Sequence, residues 1–176
     1  MSTTAITVNR APVLTLWAAV VAERLGYDRE AALTLGRAVA GLNAQSKGRS
    51  LGIYHARTTE ADEGEPVREE ERVPLLGREV PVTHTPAGLR AASKGAPVDP
   101  ASVTRYLESK FKGDLPAVRE ALEALAASRA PERLAEAAYG LYEQFRPAIP
   151  RGRAGWGAAG ELDLALIWRM AHAGDR

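Results

Sequence analysis

The chain has 176 residues, a formal net charge of +1, 45% hydrophobic and 26% charged residues, and no cysteine. That size and balance suit one globular domain able to bury a core without covalent staples. The missing thiols exclude disulfides, zinc–thiolate sites, iron–sulfur clusters and cysteine nucleophiles, and no apolar run approaches the ~20 residues of a membrane span.

The near-neutral charge conceals a contrast. Residues 60–72 (EADEGEPVREEER) hold seven acids and two arginines, while the rest of the chain carries 21 bases against 15 acids. An acidic block of this kind buries no apolar surface, so residues 58–72 are expected to be a solvated, flexible loop within a single domain spanning 1–176. A sharper reading makes the block an internal mimic of nucleic acid that screens a basic face. Arginine outnumbers lysine 19 to 4, which reflects GC-rich coding first and phosphate recognition second. The opening MSTTAITVNR lacks a basic stretch followed by an apolar core. No secretory signal is therefore expected, and the expected location is the cytoplasm.

In chain order, residues 11–25 predict a helix. Pro12 suits a first turn, and Val13, Trp17, Val20, Val21 and Leu25 form an apolar stripe. Gly26 then serves as a stop. Asp28 caps a second helix over about 29–43 that is apolar nearly all round, so it is expected to be central and closely packed. Residues 44–50 (AQSKGRS) read as a polar break and 51–57 as a candidate strand. Residues 72–83 (RVPLLGREVPVT) predict a hairpin around Gly77-Arg78, with Pro74 and Pro81 confining its strands to a sheet edge. Thr85-Pro86 starts a short helix that runs to Lys94-Gly95. Asp99-Pro100 starts another, with Val103, Tyr106, Leu107 and Phe111 on one side. Gly113-Asp114 separates it from a helix carrying Leu115, Val118, Leu122 and Leu125. Ala130-Pro131 opens a further one with Leu134, Ala138, Leu141, Tyr142 and Phe145. Residues 146–160 (RPAIPRGRAGWGAAG) read as a loop and 161–173 as an amphipathic helix. The fold class expected is mainly α (α+β): one α-rich helical domain with a small β-hairpin or edge sheet.

Two motifs touch on chemistry. Residues 21–35 (VAERLGYDREAALTL) resemble a helix-turn-helix. Ala22 allows close approach of the helices, Gly26 allows the turn, and the second helix would enter the major groove. Its outward face offers only Arg29, Glu30, Thr34 and Arg37, with Leu33 among them. An ordinary buried hairpin accounts for the same pattern. The second motif, Gly155-Trp156-Gly157-Ala158-Ala159-Gly160, matches G-x-G-x-x-G. It follows Pro147, Pro150 and Arg-Gly-Arg rather than a strand, so a dinucleotide site is not expected. Glycines ahead of a helix expose N–H groups that attract anions. Arg146, Arg151 and Arg153 lie just upstream, and Trp156 can stack on a base or fold back into the core. Further basic positions are Lys47, Arg49 and Lys94, then Arg90, Arg105, Lys110 and Lys112. Their worth as a phosphate track depends on convergence in space. His55, His84 and His172 have no metal-ligand spacing. Ser93, His84 and Asp99 make up the components of a hydrolytic triad without the G-x-S-x-G elbow, and there is no Walker loop. No metal and no cofactor are expected.

Two longer segments, RAPVLTLWAAVVAERLGYDREAALTLGRAVAGLNAQSKG and YGLYEQFRPAIPRGRAGWGAAGELDL, resemble an uncharacterised family of small bacterial cytosolic proteins. The resemblance implies a bacterial, cytosolic setting and carries no activity or site. Three readings follow from the residues. The first is a non-enzymatic nucleic-acid-binding protein that contacts phosphates through Lys47, Arg49, Lys94, Arg146, Arg151 and Arg153, with Trp156 stacking. The second is a protein-interaction module or homodimer formed through the apolar N-terminal hairpin. The third, ranked last, is an enzyme or binder of a phosphorylated small molecule at residues 151–160. No membrane partner is expected.

Overall fold

A helix with no polar face has nowhere to sit but inside. Residues 10–24 carry one hydroxyl, Thr15, between Arg10 and Glu23. In the computed structural model they form α1 (Arg10–Arg24), and residues 12–22 are all buried. Thr15 returns its hydroxyl to the Ala11 carbonyl at 2.9 Å, so no donor is stranded. The structure describes residues 5–50, 71–93, 96–147 and 159–173, with side chains described for 6–42, 71–93, 96–147 and 160–172.

The chain turns at Gly26 and starts α2 (Arg29–Ser50), where the Asp28 carboxylate accepts from the Ala31 N–H at 2.8 Å. The helix runs through residues 44–50, where a break is expected from the sequence. Once its first turns are pinned, each further residue adds a hydrogen bond at little cost, and no proline interrupts AQSKGRS. Gly36 brings α2 against α1 at Thr15 and Ala19. The candidate strand at 51–57 and the acidic residues 58–70 lie outside the described residues. Glu71 and Arg72, at the end of the acidic block, are described; Glu71 faces His84 at 2.9 Å and Arg72 opens a strand.

The expected hairpin is present as β2 (Arg72–Leu75) and β3 (Arg78–Thr85). Its turn places Leu76 at φ 50° and Gly77 at φ 77°, the positive-φ pair that matches the twist of a two-residue hairpin. The sheet then continues through β4 (Gly88–Ser93) and β5 (Ala96–Pro97) in the antiparallel order β2-β3-β4-β5. The helix expected from Thr85-Pro86 onward is thus corrected to a strand. GLRAAS, six residues long, suits helix and strand equally, and the pairing decides. As a strand it pairs along β3 and gives the Ala91 N–H to the Thr34 hydroxyl of α2 at 2.9 Å. Pro74 does sit on an edge strand, but Pro81 lies on an inner one. It falls outside the β3–β4 register, which begins at Val82, so its missing N–H interrupts no pairing there.

Three helices follow: α3 (Pro100–Phe111), α4 (Leu115–Ala127) and α5 (Pro131–Phe145), with a 3₁₀ turn at Lys112–Asp114. Asp99 caps α3 by accepting from the Ala101 N–H at 3.1 Å. The apolar stripes read from the sequence are the buried faces, including Val103, Leu107, Val118, Leu122, Leu134 and Phe145. The chain closes with β6 (Ala159–Asp163) and α6 (Leu164–Ala173). Strand β6 pairs antiparallel with β1 (Ala5–Asn9), a strand the sequence does not announce. The expected helix start at 161 moves to 164, because residues 159–163 pair with β1 and Asp163 caps α6 by accepting from the Ala165 N–H at 3.0 Å.

The fold is mainly α, with two small antiparallel sheets among the described residues. Helix α1 is the axis: α2, α3, α4 and α5 pack around it, the larger sheet covers α2, and α6 packs on α4. One hydrophobic cluster runs from Val8 of β1 to Ala171 of α6. Among the described residues, no helix is long and apolar enough to cross a membrane.

The seam between α2 and the sheet holds two buried polar side chains, both paired. Thr34 is 0% exposed, donates to the Ala31 carbonyl at 2.8 Å and accepts from Ala91. Buried Arg90 donates to Glu30 at 3.0 Å and to the Leu89 carbonyl. Replacing Thr34 by valine keeps the shape but strands the Ala91 N–H in the core. The expected loss is about 1–3 kcal/mol in a urea melt, and an unchanged midpoint would show that this seam contributes nothing.

Candidate nucleic-acid interface

Helix α5 reaches the start of α1 because it runs antiparallel to it. The Trp17 indole donates to the Ala138 carbonyl at 3.0 Å, and the Phe145 ring meets Trp17 edge-on at 5.3 Å. The Tyr142 hydroxyl donates to the Arg10 carbonyl at 3.5 Å. These contacts set the C-terminal end of α5 beside the N-terminal end of α1. Arg146 follows the last residue of α5, its N–H bonded to the Tyr142 carbonyl at 2.7 Å. Arg10 opens α1, and its Nε donates to the Pro147 carbonyl at 3.0 Å.

Two guanidinium groups therefore share one pole of the molecule. Burial holds the Arg10 guanidinium below its ordinary pKa, and neighbouring Arg146 pushes in the same direction. Both remain cations, since a guanidinium stays protonated under any physiological condition. Tyr139 and Tyr142 pack beside them with ring centroids 5.8 Å apart. Burial raises the Tyr142 phenol while Arg146 and Arg10 oppose that rise, so it stays a neutral donor. Among the described residues, neither arginine has a carboxylate partner.

The helix dipoles act in opposite senses at this pole. A cation suits the C-terminal end of α5, where Arg146 sits. The N-terminus of α1 is already positive, its first turn contains no acid, and Arg10 adds a further charge. The excess positive charge of the pole thus comes from the two guanidinium groups.

The loop that carries the other expected contacts leaves and returns at this pole. Pro147 accepts from Arg10, and Ala159 lies opposite Asn9 in the β1–β6 register. Arg151, Arg153 and Trp156, between those anchors, lie outside the described residues, as does Lys94. Lys47 and Arg49 belong to the last turns of α2, with side chains outside the described residues. Helices α1 and α2 are antiparallel, with Gly36 level with Thr15 and Ala19. At 1.5 Å per residue, the end of α2 lies level with, or beyond, the start of α1. Of the expected site residues, Arg146 alone is described to its side chain. Arg10 is the residue that sequence reading misses. A usable signal was present: an arginine in the first turn of an otherwise apolar helix, with no acid to offset the dipole.

Other candidates resolve differently. Of the outward positions expected of the helix-turn-helix segment, Leu33 and Thr34 are buried under the sheet and Glu30 is tied to Arg90, while Arg29 and Arg37 are exposed. The hairpin's apolar residues are likewise covered within the chain, by the sheet and by α3, α4 and α5. His84 pairs with Glu71 rather than with Asp99, whose carboxylate caps α3. His172 stacks on Trp168 at 6.3 Å, beside an open groove of about 290 Å³ lined also by Ala124, Ser128 and Ala171. Glu23 gathers Arg119 and Arg29 in a network that Glu123 completes. Among the described residues, no group of three or more His, Asp or Glu gathers to hold a metal.

The molecule is thus an α-rich α+β fold with a cationic pole at one end of its central helix. No family model, no curated protein and no solved structure matches this chain.

Proposed function

We propose that this protein is a non-enzymatic binder of nucleic acid that contacts backbone phosphates through the pole built by Arg10 and Arg146. The single observation that carries the reading is the convergence of two cations, without a carboxylate among the described residues, at a helix N-terminus that is itself positive. Like charges held together cost energy, and a phosphate removes that cost. Lys47, Arg49, Arg151, Arg153 and Trp156 extend the same contact in this reading, since their segments begin or end at the pole. The reading includes a bacterial cytoplasmic setting, supported by the sequence resemblance and the absence of cysteine.

The test is fluorescence anisotropy with labelled single- and double-stranded DNA and RNA at about 50 and 200 mM salt. If about four phosphates of a single strand are engaged, affinity should fall roughly 50-fold across that range. Arg10→Ala with Arg146→Ala should weaken binding and flatten the salt slope by about 1.4, and Arg151→Ala with Arg153→Ala should act in the same direction. Melting curves of each variant separate loss of fold from loss of contact. Absent binding at the lower salt, or binding indifferent to salt, rejects the reading. A thermal shift with nucleotides or sugar phosphates would then assign the pole to a small phosphorylated ligand.

A further inference from the structure

A second basic centre lies on α2 and α3, away from the pole. The Arg37 guanidinium carbon sits 4.4 Å from the centroid of the Tyr106 ring, and the Lys110 ammonium lies 6.0 Å from the same ring. Arg37 and Lys110 are exposed, and Tyr106 is half-buried. Among the described residues, neither cation has a carboxylate partner. A cation–π contact uses the face of a guanidinium and leaves its fork of N–H donors, the geometry that grips a phosphate. Ring and cations are also held in advance: Tyr106 follows Val103 and precedes Leu107 on the buried side of α3, so little side-chain freedom remains to be lost on binding. Burial raises the Tyr106 phenol while Arg37 opposes it, so the ring stays neutral under the two cations. Arg37 also adjoins Gly36, the point where α2 touches α1. Along the hairpin axis that is about 10 Å from the level of Arg10, a span that a few nucleotides cover.

We infer that Arg37 and Lys110, organised by Tyr106, form a second phosphate-binding subsite for the same nucleic acid. This rests on the reading of the pole, and it adds to that reading a contact on another pair of helices. The ligand chemistry is a phosphodiester, held by two cations whose positions one aromatic ring sets.

The experiment uses the full chain and a fluorescein-labelled single-stranded DNA of about 15 nucleotides, with anisotropy read across the salt range above. Arg37→Ala with Lys110→Ala should lower the slope of log K against log salt by about 1.4, or about 0.7 per lost contact. Arg133→Ala with Arg169→Ala removes the same charge from exposed positions elsewhere and should leave the slope as in the wild type. Tyr106→Leu keeps both cations but not their platform, and should weaken binding with a smaller change in slope. Far-UV circular dichroism confirms that each variant is folded. A double variant at Arg37 and Lys110 with wild-type slope and affinity overturns this inference and leaves the pole intact. Equal losses in the Arg37/Lys110 and Arg133/Arg169 variants overturn it too, since only net charge would then matter. Wild-type protein that fails to bind overturns the reading of the pole and this inference together.

Discussion

Trp17→Ala is expected to remove about 3–5 kcal/mol of folding stability. Trp17 is 0% exposed at the centre of α1. Its ring meets Phe145 edge-on at 5.3 Å, and its N–H is used by the Ala138 carbonyl. Truncation therefore loses apolar burial, an aromatic pair worth about 0.5–1.5 kcal/mol and a buried hydrogen bond, and it leaves a cavity that a close-packed helix cannot collapse to fill. Against a total stability of about 5–15 kcal/mol for a domain of ordinary size, the loss is a large fraction. Trp17→Phe keeps the ring contact and gives up the hydrogen bond and part of the volume, so its cost should be well below that of alanine. Urea melts followed by far-UV circular dichroism check both variants. A loss below about 1 kcal/mol for alanine would mean that α5 is held by other contacts. The same substitution reaches the site, because Trp17 is the anchor that brings Arg146 to Arg10. Any Trp17→Ala chain that stays folded should bind anions more weakly.

Gly36→Ala should cost about 3 kcal/mol, the upper end for overpacking, although alanine is the better helix former by about 1 kcal/mol. An added Cβ would stand 2.9 Å from the Ala19 nitrogen and closer still to the Thr15 carbonyl oxygen. Both neighbours are backbone of α1 and cannot rotate away, so the helices must separate, and the whole seam of α1 against α2 pays with them. For a chain of this length the expected drop in Tm is roughly 6–12 °C. Gly41→Ala is the control. It lies on the same helix, and its added Cβ meets nothing within 4 Å, so it should be neutral or raise stability by up to about 1 kcal/mol. If the two variants melt together, the close approach of α1 and α2 is not needed for stability.

The helices were legible because their signals are local. Pro12, Asp28 and Asp99 mark starts by capping and turn chemistry, and the stripes at 103–111, 118–125 and 134–145 are spaced for one face of a helix. The β2–β3 hairpin was legible for the same reason, although its turn centres on Leu76-Gly77, one residue before the Gly77-Arg78 expected. Strand β4 was not. GLRAAS is as compatible with helix as with strand, and it became a strand because β3 lies beside it and Thr34 receives its Ala91 N–H. Strands β1 and β6 were invisible for a related reason. AITVN and AGELD carry little pattern in five residues each, and their pairing joins opposite ends of the chain. The extent of α2 beyond residue 43 depended on helix cooperativity rather than on any residue in AQSKGRS.

The site divides along the same line. The basic character of residues 146–153 is written in the sequence, and Arg146 could be named from it. Arg10 stood out only as an arginine in the first turn of an apolar helix; its meeting with Arg146 was not legible, because the C-terminal end of α5 arrives only when Trp17 and Phe145 pack. The cations over Tyr106 are likewise brought from separate helices. The fold class, most helix boundaries, the hairpin and the excess of arginine can all be read from residues alone, because they rest on composition or on neighbours within a few residues. That α1 is the central axis, that a sheet covers Leu33 and Thr34 of α2, and that Arg10 and Arg146 meet became visible only in the folded chain. Those outcomes depend on contacts between distant segments. Their energies come from burial and charge proximity, which no local pattern of residues encodes.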